Sequence, residues 1–337
     1  MSRLWRELFW PVLFPIAGMW AGIVGLRRRF LAPRAPHRVQ GKVVVVGNIH
    51  SGGSGKTPLL AAIAERFHAL GPVIVSRGYR GALSKAGSRV QDHASGPALY
   101  GDEAWMLHRR TGCPVYIGAH RGKALERAQA ETGSRLFLLD DGFQNFSFRH
   151  GIDLVAVSMD RPVAEYCLPL GDLREGLGAL ASATAVLLSG EATSTYREEW
   201  KSFVAKHFPE LTVFEVLRET EGVWGREGRV EVAGNLGWGA FCGIANPGRF
   251  GRSLQQVLRP DFLETFADHH AYSERDIDEL AALQKRRETH HLITTEKDWH
   301  KASPLFEARN QALFYLRIRY VFPESFWYFL ETRLETA

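Results

Sequence analysis

Cysteine is scarce in this sequence, and the cysteines present lie far apart. They are Cys113, Cys167 and Cys242, and no two of them have the C-x-x-C spacing of a redox or metal motif. A framework of disulfide bonds is therefore not expected. We predict buried, reduced thiols and a chain from a reducing compartment.

A net positive charge is lacking over most of the chain, although the whole chain carries a formal net charge of +5. The first 40 residues hold seven arginines against a single acidic residue, Glu7, so they contribute +6 and the remainder sums to −1. A nucleic-acid-binding protein needs a basic face on its folded body, and this class is therefore not predicted. A basic N-terminal segment suits the anionic headgroups of a membrane instead. No protein partner is implied.

Long hydrophobic runs are absent beyond the N-terminus. The hydrophobic fraction is 45%, which is typical of a globular protein and too low for a multi-spanning membrane protein. Internal repeats and low-complexity tracts are absent as well. With 337 residues, the chain is long enough for two domains with buried cores.

One uncharged stretch does stand at the N-terminus, over Leu8–Leu26, and Arg27–Arg29 follow it directly. A signal peptide is disfavoured because the charges follow the apolar stretch and no small-residue cleavage site appears. The length permits a spanning helix, whereas Pro11, Pro15 and three tryptophans favour a helix in the membrane interface. A helix packed on the protein's own core is the third alternative. We predict a membrane-associated helix over residues 1–33, with its arginines on the cytoplasmic side.

Beyond residue 34, short apolar runs recur between glycine-rich and polar clusters, which is typical of buried parallel strands. The runs are Val43–Val46, Val73–Val75, Val115–Ile117, Leu136–Leu139, Leu154–Val157 and Ala185–Leu188. Helical stretches such as Pro58–Leu70 and Gly122–Thr132 lie between them. This alternation predicts a doubly wound α/β domain over residues 34–212.

A second unit is predicted after a short β-rich connection. Two β-like runs, Thr212–Leu217 and Arg229–Val232, flank Gly222–Gly228 and predict a hairpin linker over residues 213–234. A smaller α/β domain is predicted over residues 235–337. Its apolar runs are Ala240–Ile244, His291–Thr295 and Leu313–Val321.

The loop after the first apolar run has the composition of a phosphate-binding loop. It reads Gly47-Asn48-Ile49-His50-Ser51-Gly52-Gly53-Ser54-Gly55-Lys56-Thr57-Pro58. In such loops, backbone N–H groups surround phosphate oxygens, the lysine reaches the β- and γ-phosphates, and the threonine hydroxyl ligates Mg²⁺. We therefore predict that ATP is bound by Gly52, Gly53, Ser54, Gly55, Lys56 and Thr57, with Thr57 also on the metal. His50 stands where the strict motif has glycine, but the strand–loop–helix context outweighs the mismatch.

A pair of aspartates, Asp140 and Asp141, ends the apolar run Leu136–Leu139. Carboxylates at the end of a buried strand hold Mg²⁺ or its water shell in nucleotide sites. Taken alone, the pair would equally fit a helix cap. Together with the phosphate loop, it predicts the metal-binding half of an Mg²⁺·ATP site.

These motifs resemble those of the tetraacyldisaccharide 4′-kinase family, the lipid A 4′-kinases of Gram-negative bacteria. The resemblance spans almost the whole chain, including the apolar N-terminus and the phosphate loop. It is carried further by Ser76-Arg77-Gly78-Tyr79, Gly101-Asp102-Glu103, Asp140-Asp141-Gly142-Phe143-Gln144, Leu173-Arg174-Glu175, Phe241-Cys242-Gly243-Ile244-Ala245-Asn246-Pro247, Asp268-His269-His270-Ala271-Tyr272 and Thr294-Thr295-Glu296-Lys297-Asp298. Asp-Asp-Gly-Phe-Gln and Thr-Thr-Glu-Lys-Asp together are specific, since neither is a general nucleotide motif.

The resemblance implies a P-loop NTPase-type fold and transfer of the ATP γ-phosphate to the 4′-hydroxyl of a tetraacylated, 1-phosphorylated glucosamine disaccharide. It also implies attachment to lipids at the cytoplasmic face of the inner membrane. Two departures from the family pattern are present. Asn145 stands where the family has histidine, and Asp172 and Gly176 stand where it has prolines. Neither departure removes a group that phosphoryl transfer needs.

The resemblance further implies that Asp102 and His269 form a catalytic dyad, with Asp102 accepting the hydroxyl proton. Taken alone, Asp102 would fit a helix cap and His269 an ordinary loop histidine, and His270 is a competing candidate. Gln144 is expected at the nucleotide. Glu175 is expected at the metal, with an exposed loop carboxylate as the alternative.

Two arginines, Arg77 and Arg121, are candidates for contacts to phosphate in ATP or in the acceptor, because a guanidinium matches phosphate oxygens. Surface ion pairs are the alternative. A membrane-associated P-loop ATPase switch is another function class, but such proteins carry a lysine just before the Gly-Gly pair, where this chain has Ser51. A kinase of a soluble metabolite would not need the apolar N-terminus. A lipid-binding module would not need Lys56.

Overall fold

Helices and strands alternate along most of the chain. A computed structural model describes residues 3–31, 37–51, 55–93, 95–148, 150–163, 166–232 and 237–335. The helices of these residues are α1 (Arg3–Leu31), α2 (Lys56–Arg66), α3 (Gly96–Tyr100), α4 (Asp102–Thr111), α5 (Arg121–Thr132), α6 (Arg197–His207), α7 (Pro247–Leu254), α8 (Glu274–Arg287), α9 (Glu296–Glu307) and α10 (Glu324–Glu335). The strands are β1 (Lys42–Asn48), β2 (Val73–Ser76), β3 (Ser88–Arg89), β4 (Val115–Ile117), β5 (Leu136–Asp140), β6 (Ile152–Ser158), β7 (Ala185–Gly190), β8 (Thr212–Gly225), β9 (Gly228–Val230), β10 (Trp238–Cys242), β11 (Phe262–Thr265), β12 (His291–Thr295) and β13 (Phe314–Val321).

The strands of the described residues form one sheet in the order β11-β10-β12-β13-β8-β7-β6-β1-β5-β2-β4-β3, with β9 paired to β8. Most neighbours are parallel, as the predicted α/β class requires. Every apolar run predicted as a strand before residue 190 lies within an observed strand. These strands read as continuous apolar runs because both of their faces are buried. In β1, Val44 and Val46 pack on one side of the sheet and Val43 and Val45 on the other.

Strand β8 belongs to both halves of the sheet. Its first residues pair in parallel with β7, from Ala185↔Thr212 to Gly190↔Leu217. It then continues past the predicted end at Leu217 and pairs antiparallel with β13, and its hairpin turn with β9 lies between Gly225 and Gly228. The sheet is therefore continuous through the predicted linker. The predicted boundaries of the two domains stay predictions.

Helix α1 runs without a break through Pro11 and Pro15. One side lies against the protein body, where Ala17 is buried and the rings of Trp10 and Phe14 contact Tyr166. The other side is exposed and apolar. Its members recur every three or four residues and are Val12, Ile16, Met19, Ile23, Leu26 and Phe30. The stretch from Trp10 to Leu31 is long and apolar enough to cross a membrane, which is weak evidence of a membrane segment when considered alone.

The three cysteines are free and buried, as predicted from their spacing. Burial also raises the pKa of the Cys242 thiol to about 12, with the nearby carboxylate of Asp298 adding to the effect. A thiol of that kind is a packing group and not a nucleophile at neutral pH.

Candidate active site

The phosphate loop lies between β1 and α2, and α2 begins at Lys56. Gly52, Gly53 and Ser54 of the predicted loop fall outside the described residues. Gly55 has a left-handed backbone with φ of 74°, and the Tyr320 hydroxyl of β13 lies where a side chain at residue 55 would project. Glycine is required there on both grounds. Thr57 is buried in the first turn of α2, beside Lys56.

Asp140 is the last residue of β5, the strand beside β1. It is buried, and its Oδ2 accepts a hydrogen bond of 3.3 Å from the Ser76 hydroxyl. Its Oδ1 is buried without a hydrogen-bond partner among the described residues. Burial raises the pKa of Asp140 to about 7, and the charges of Glu103 and Asp141 add to the effect. A cation beside Oδ1 would supply the missing partner, so these carboxylates fit a divalent metal.

Asp141 faces two cations. Its Oδ1 lies 3.2 Å from Lys56 Nζ, and its two oxygens accept from Arg174 Nη1 at 2.9 and 2.8 Å. Burial opposes ionisation of Asp141, but Lys56 and Arg174 outweigh it and lower the pKa to about 2. Asp141 is therefore an anion that fixes the loop lysine at the head of α2.

The segment Asp172–Glu175 runs along the entrance of the phosphate loop. Ser51 N donates to Asp172 O at 2.6 Å, and Arg174 N donates to Ile49 O at 2.7 Å. Asp172, one of the departures from the family pattern, is thus joined to the loop through its backbone. This pairing brings Arg174 and Glu175 to the site although they lie far from the loop in sequence.

Glu175 is buried, so the alternative of an exposed carboxylate is wrong. Both of its oxygens accept from the Arg28 guanidinium of α1, at 2.7 to 3.0 Å. Gln144 Nε2 donates to Glu175 Oε1 at 2.7 Å and to Asn48 O at 2.8 Å. Gln144, expected at the nucleotide, here ties Glu175 to the end of β1.

Arg28 was predicted to belong to a basic cluster facing the membrane, and for this residue the prediction is wrong. Its guanidinium lies over the Phe143 ring, 4.0 Å from the centroid, and is paired with Glu175. Only Arg27 and Arg29 of the cluster are exposed. The cause is helical spacing, because Arg28 falls on the face that carries Ala17 and Ala21 against the body.

Asp102 and His269 meet across the two halves of the chain, 167 residues apart in sequence, with His269 Nδ1 3.1 Å from Asp102 Oδ2. Asp102 is the first residue of α4 and is not its N-cap. The N-cap is Gly101, which has no side chain to cap the helix. His269 has a left-handed backbone with φ of 61°, which is uncommon for residues other than glycine and is often found at functional sites. The competing His270 lies 3.2 Å from Asp276 Oδ2 instead.

Two lysines of α9 complete this cluster. Lys297 Nζ lies 3.2 Å from His269 Nε2, and Lys301 Nζ lies 3.6 Å from Asp102 Oδ2. Because a lysine ammonium only donates, His269 accepts at Nε2 and carries its hydrogen at Nδ1, where it donates to Asp102. Burial opposes ionisation of Asp102, but His269, Lys301 and Lys297 outweigh it and lower the pKa below the ordinary value. Asp102 is therefore ionised at neutral pH.

Arg121 is a buried arginine at the start of α5. Its Nη1 donates to Ala119 O at 3.1 Å, and its Nε has no hydrogen-bond partner within the described parts of the chain. Burial and the nearby charge of Arg77 lower the pKa of Arg121, while Asp141 and Asp140 act in the opposite direction. Arg77 is exposed. Arg121 thus adds positive charge near the aspartate pair, and its burial argues against the alternative of a surface ion pair for this residue. The role of Arg77 stays a prediction.

Arg28, Arg174, Lys297 and Lys301 were not predicted to lie at the site, and Arg28 was assigned to the membrane surface instead. Two of these stood in the motifs Leu173-Arg174-Glu175 and Thr-Thr-Glu-Lys-Asp, so a signal for Arg174 and Lys297 was present. Lys301 follows Lys297 by one helical turn, which places both on one face of a helix. Nothing local marks Arg28 apart from its two arginine neighbours.

Comparison with known proteins gives one consistent result. A family model described as "Tetraacyldisaccharide-1-P 4′-kinase" matches residues 9–335. A relative named tetraacyldisaccharide 4′-kinase, from Photobacterium profundum, is 31% identical over 88% of this chain and 82% of its own length. Another of that name, from Desulfotalea psychrophila, is 32% identical over 90% of this chain and 93% of its own.

The fold has a solved counterpart. A crystal structure of LpxK from Aquifex aeolicus in complex with ATP matches with a TM-score of 0.75, over 98% of this chain and 99% of that one. The sequence identity is 20%, so this similarity shows only that the two chains share a fold. Since the family model covers nearly all of the sequence, the chain belongs to the tetraacyldisaccharide 4′-kinase family.

Proposed function

We propose that this enzyme transfers the γ-phosphate of ATP to the 4′-hydroxyl of a tetraacyl-disaccharide 1-phosphate at the cytoplasmic face of the inner membrane. The observation that carries the proposal is that the first two residues of α4 face two different groups, the His269 imidazole and the Asp140 carboxylate. Asp102 opens α4 and pairs with His269, and the next residue, Glu103, lies close enough to Asp140 to raise its pKa. The Asp102 carboxylate therefore lies near the phosphate-loop site, which supports its proposed role as the proton acceptor that transfer to a hydroxyl requires.

Lys56, Thr57 and the pair Asp140–Asp141 would hold Mg²⁺·ATP, with Glu175 joining them. The unpartnered Oδ1 of Asp140 supports a cation there. When bound, Mg²⁺ neutralises charge on the β- and γ-phosphates. Lys56 adds a second positive charge from the head of α2, where the helix N-terminus also favours phosphate.

Asp102 would accept the proton of the 4′-hydroxyl. His269 orients the carboxylate through Nδ1–H, and Lys297 fixes the imidazole from its other side. The lowered pKa of Asp102 keeps the carboxylate ionised and ready to accept a proton at neutral pH. Because Asp102 and His269 come from different halves of the chain, relative motion of the halves would assemble or open this pair.

Arg121→Ala is expected to raise the KM for ATP or for the acceptor about 10- to 100-fold, because hydrogen bonds to charged groups contribute about 1.5–3 kcal/mol. Steady-state kinetics with each substrate varied in turn would measure the change. Arg127→Ala is the matched control, since Arg127 lies on the same helix but pairs with the exposed Glu131. Unchanged KM values for both substrates in Arg121→Ala would remove Arg121 from the phosphate contacts.

Helix α1 would lie in the interface and not cross the bilayer. Trp10 contacts Tyr166 and Arg28 contacts Glu175, so the body accompanies the helix over 18 residues. At 1.5 Å per residue this is about 27 Å, nearly the thickness of the hydrocarbon core. A spanning helix would draw the packed body, including the Glu175 carboxylate, into lipid, whereas an interfacial helix exposes only its apolar stripe.

Replacing Met19, Ile23 and Leu26 together by aspartate is expected to lower membrane partitioning at least about 100-fold, because each buried apolar side chain contributes about 1.5–3 kcal/mol. These residues face away from the body, so the KM for ATP should not change. Sedimentation with vesicles of anionic lipid would measure the partitioning. Leu70→Asp is the control, a comparably exposed leucine outside α1. Undiminished sedimentation of the triple variant would place the membrane contact elsewhere.

The competing function is a P-loop ATPase switch at the membrane. The kinase and the switch are distinguished by whether ATP turnover depends on the acceptor. ADP formation is measured in detergent micelles with and without the disaccharide. A kinase with this site should form ADP much faster when the acceptor is present, since the acceptor's hydroxyl is the nucleophile that Asp102 is proposed to deprotonate. Turnover that is equally fast without acceptor would favour the switch.

A further inference from the structure

Helix α1 reaches the nucleotide site as well as the solvent-exposed side of the protein. Trp20 Nε1 donates to Arg174 O at 3.1 Å, and Arg28 holds both oxygens of Glu175. Within the described residues, these contacts join α1 to the segment that lies along the phosphate loop. The other side of the same helix carries the apolar stripe.

Two chains of contacts lead from α1 to the phosphate loop. In one, Trp20 holds the backbone of Arg174, whose guanidinium binds Asp141, the partner of Lys56. In the other, Arg28 binds Glu175, and Gln144 joins that carboxylate to Asn48 O at the end of β1.

The Arg28–Glu175 pair is well shielded from solvent. The side chains are 14% and 3% exposed, and the Arg28 guanidinium also lies within cation–π distance of Phe143 and Phe146. Arg28 Nη2 donates in addition to Phe143 O at 3.2 Å, so it contacts the Asp-Asp-Gly-Phe-Gln loop directly. A buried carboxylate that loses such a partner is left as an uncompensated charge, which costs free energy and favours a displacement of the side chain.

We propose that Arg28 is a positioning residue of the nucleotide site, which sets Glu175 and Gln144 in place for Mg²⁺·ATP. This inference rests on the proposed function, because it takes Glu175 as part of the metal site. Groups that orient a metal-binding carboxylate affect metal affinity although they do not touch the metal. One helix would then serve both the membrane surface and the nucleotide site.

Binding of Mg²⁺ with a non-hydrolysable ATP analogue, measured by calorimetry on the full chain, tests the proposal. Arg28→Ala is expected to weaken binding about 10- to 100-fold, as substitutions behind metal ligands do. Arg29→Ala removes the same charge from the exposed side of α1 and should leave this affinity unchanged. The KM for the acceptor in neutral micelles should stay the same in Arg28→Ala, which would place the effect at the nucleotide. Circular dichroism and the number of nucleotide sites per chain in the same titration show whether the variant is folded.

A double-mutant cycle identifies the route of the effect. If Arg28 acts through Glu175, the variant Arg28→Ala/Glu175→Gln should bind no more weakly than Glu175→Gln alone. Losses that multiply, or an Arg28→Ala protein that binds like Arg29→Ala, would overturn the proposal. Should Arg28→Ala fail to fold, Arg28→Lys replaces it, since lysine keeps the charge but lacks the forked contact and should weaken binding in the same direction.

Failure of this inference is distinct from failure of the proposed function. Phosphotransfer by the unaltered enzyme is measured in parallel with the disaccharide acceptor. No transfer by the unaltered enzyme would refute the proposed function, whereas normal transfer with equal nucleotide affinities in Arg28→Ala and Arg29→Ala would refute only the role of Arg28.

Discussion

Alanine in place of Asp102 or His269 is expected to lower kcat about 10²- to 10⁴-fold, which is the usual contribution of a general base. Asp102 would lose the oxygen that accepts the hydroxyl proton. His269→Ala would remove the Nδ1–H donor that orients this oxygen at 3.1 Å. Affinity for Mg²⁺·ATP should remain nearly unchanged, because neither side chain contacts Lys56 or the aspartate pair in the described structure.

The double variant Asp102→Ala/His269→Ala tests whether the two residues act as a unit. Its kcat should be little lower than that of the worse single variant, since one missing partner already disables the pair. Single-turnover kinetics with saturating ATP would isolate the transfer step. His270→Ala is the matched control, because His270 pairs with Asp276 outside the dyad. Fully multiplicative losses would show that Asp102 and His269 act independently.

The pH dependence of this pair has a definite sign. Asp102 acts as a base only when ionised, and His269 with the two lysines of α9 holds its pKa below the ordinary value of 3.8 despite burial. Activity that depends on this carboxylate should therefore persist as the pH falls until that lowered pKa is reached. Removing Lys297 or Lys301 should move the acid limb of kcat/KM to higher pH.

Lys56→Ala is the substitution with the second large expected effect, a fall in kcat of about 10²- to 10³-fold or about 2.7–4 kcal/mol. Phosphoryl transfer depends on positioning and charge neutralisation, and Lys56 is the cation at the head of α2. Its loss also removes one of the two partners of Asp141, leaving Arg174 alone on that carboxylate.

The control for Lys56→Ala is Lys42→Ala. Lys42 lies on the same strand that feeds the phosphate loop, but its ammonium donates to Arg333 O, away from the site. This variant should lose some stability and retain kcat. Circular dichroism would establish that both variants are folded. Near-normal phosphoryl transfer by a folded Lys56→Ala protein would contradict the assignment of the phosphate loop.

Local signals predicted the buried parallel strands and the phosphate loop of residues 34–212, but not the short strand β3. The strands around β1 are buried on both faces and therefore appear as apolar runs, and the glycine-rich loop with Lys56 directly follows one of them. The continuation of β8 was not predicted because residues such as Arg218 and Glu219 are polar and only partly buried. Strand β11 was missed for a related reason, since its side chains are half-buried or exposed and it pairs on one side only.

The residues of the candidate site likewise fall into those that short motifs predict and those that they do not. Lys56, Asp140 and Asp141 are carried by short motifs whose chemistry can be read from the sequence. The dyad was expected from the family resemblance alone, because no local pattern relates Asp102 to His269. The burial of Glu175 and Arg28 could not be predicted from the sequence either. The two residues become partners only when a helix from one end of the chain packs on a loop from its middle.

The position of the phosphate in the product tests the proposed reaction most directly. The full chain is incubated with Mg²⁺, tetraacyl-disaccharide 1-phosphate in detergent micelles, and ATP whose γ-phosphate oxygens carry a heavy stable isotope. The labelled product is examined by phosphorus NMR and mass spectrometry. The label should appear as a monoester on the 4′-hydroxyl, with one ADP formed for each product molecule and the 1-phosphate unchanged. Label recovered as inorganic phosphate, or attached at the 1-phosphate or another hydroxyl, would contradict the assignment.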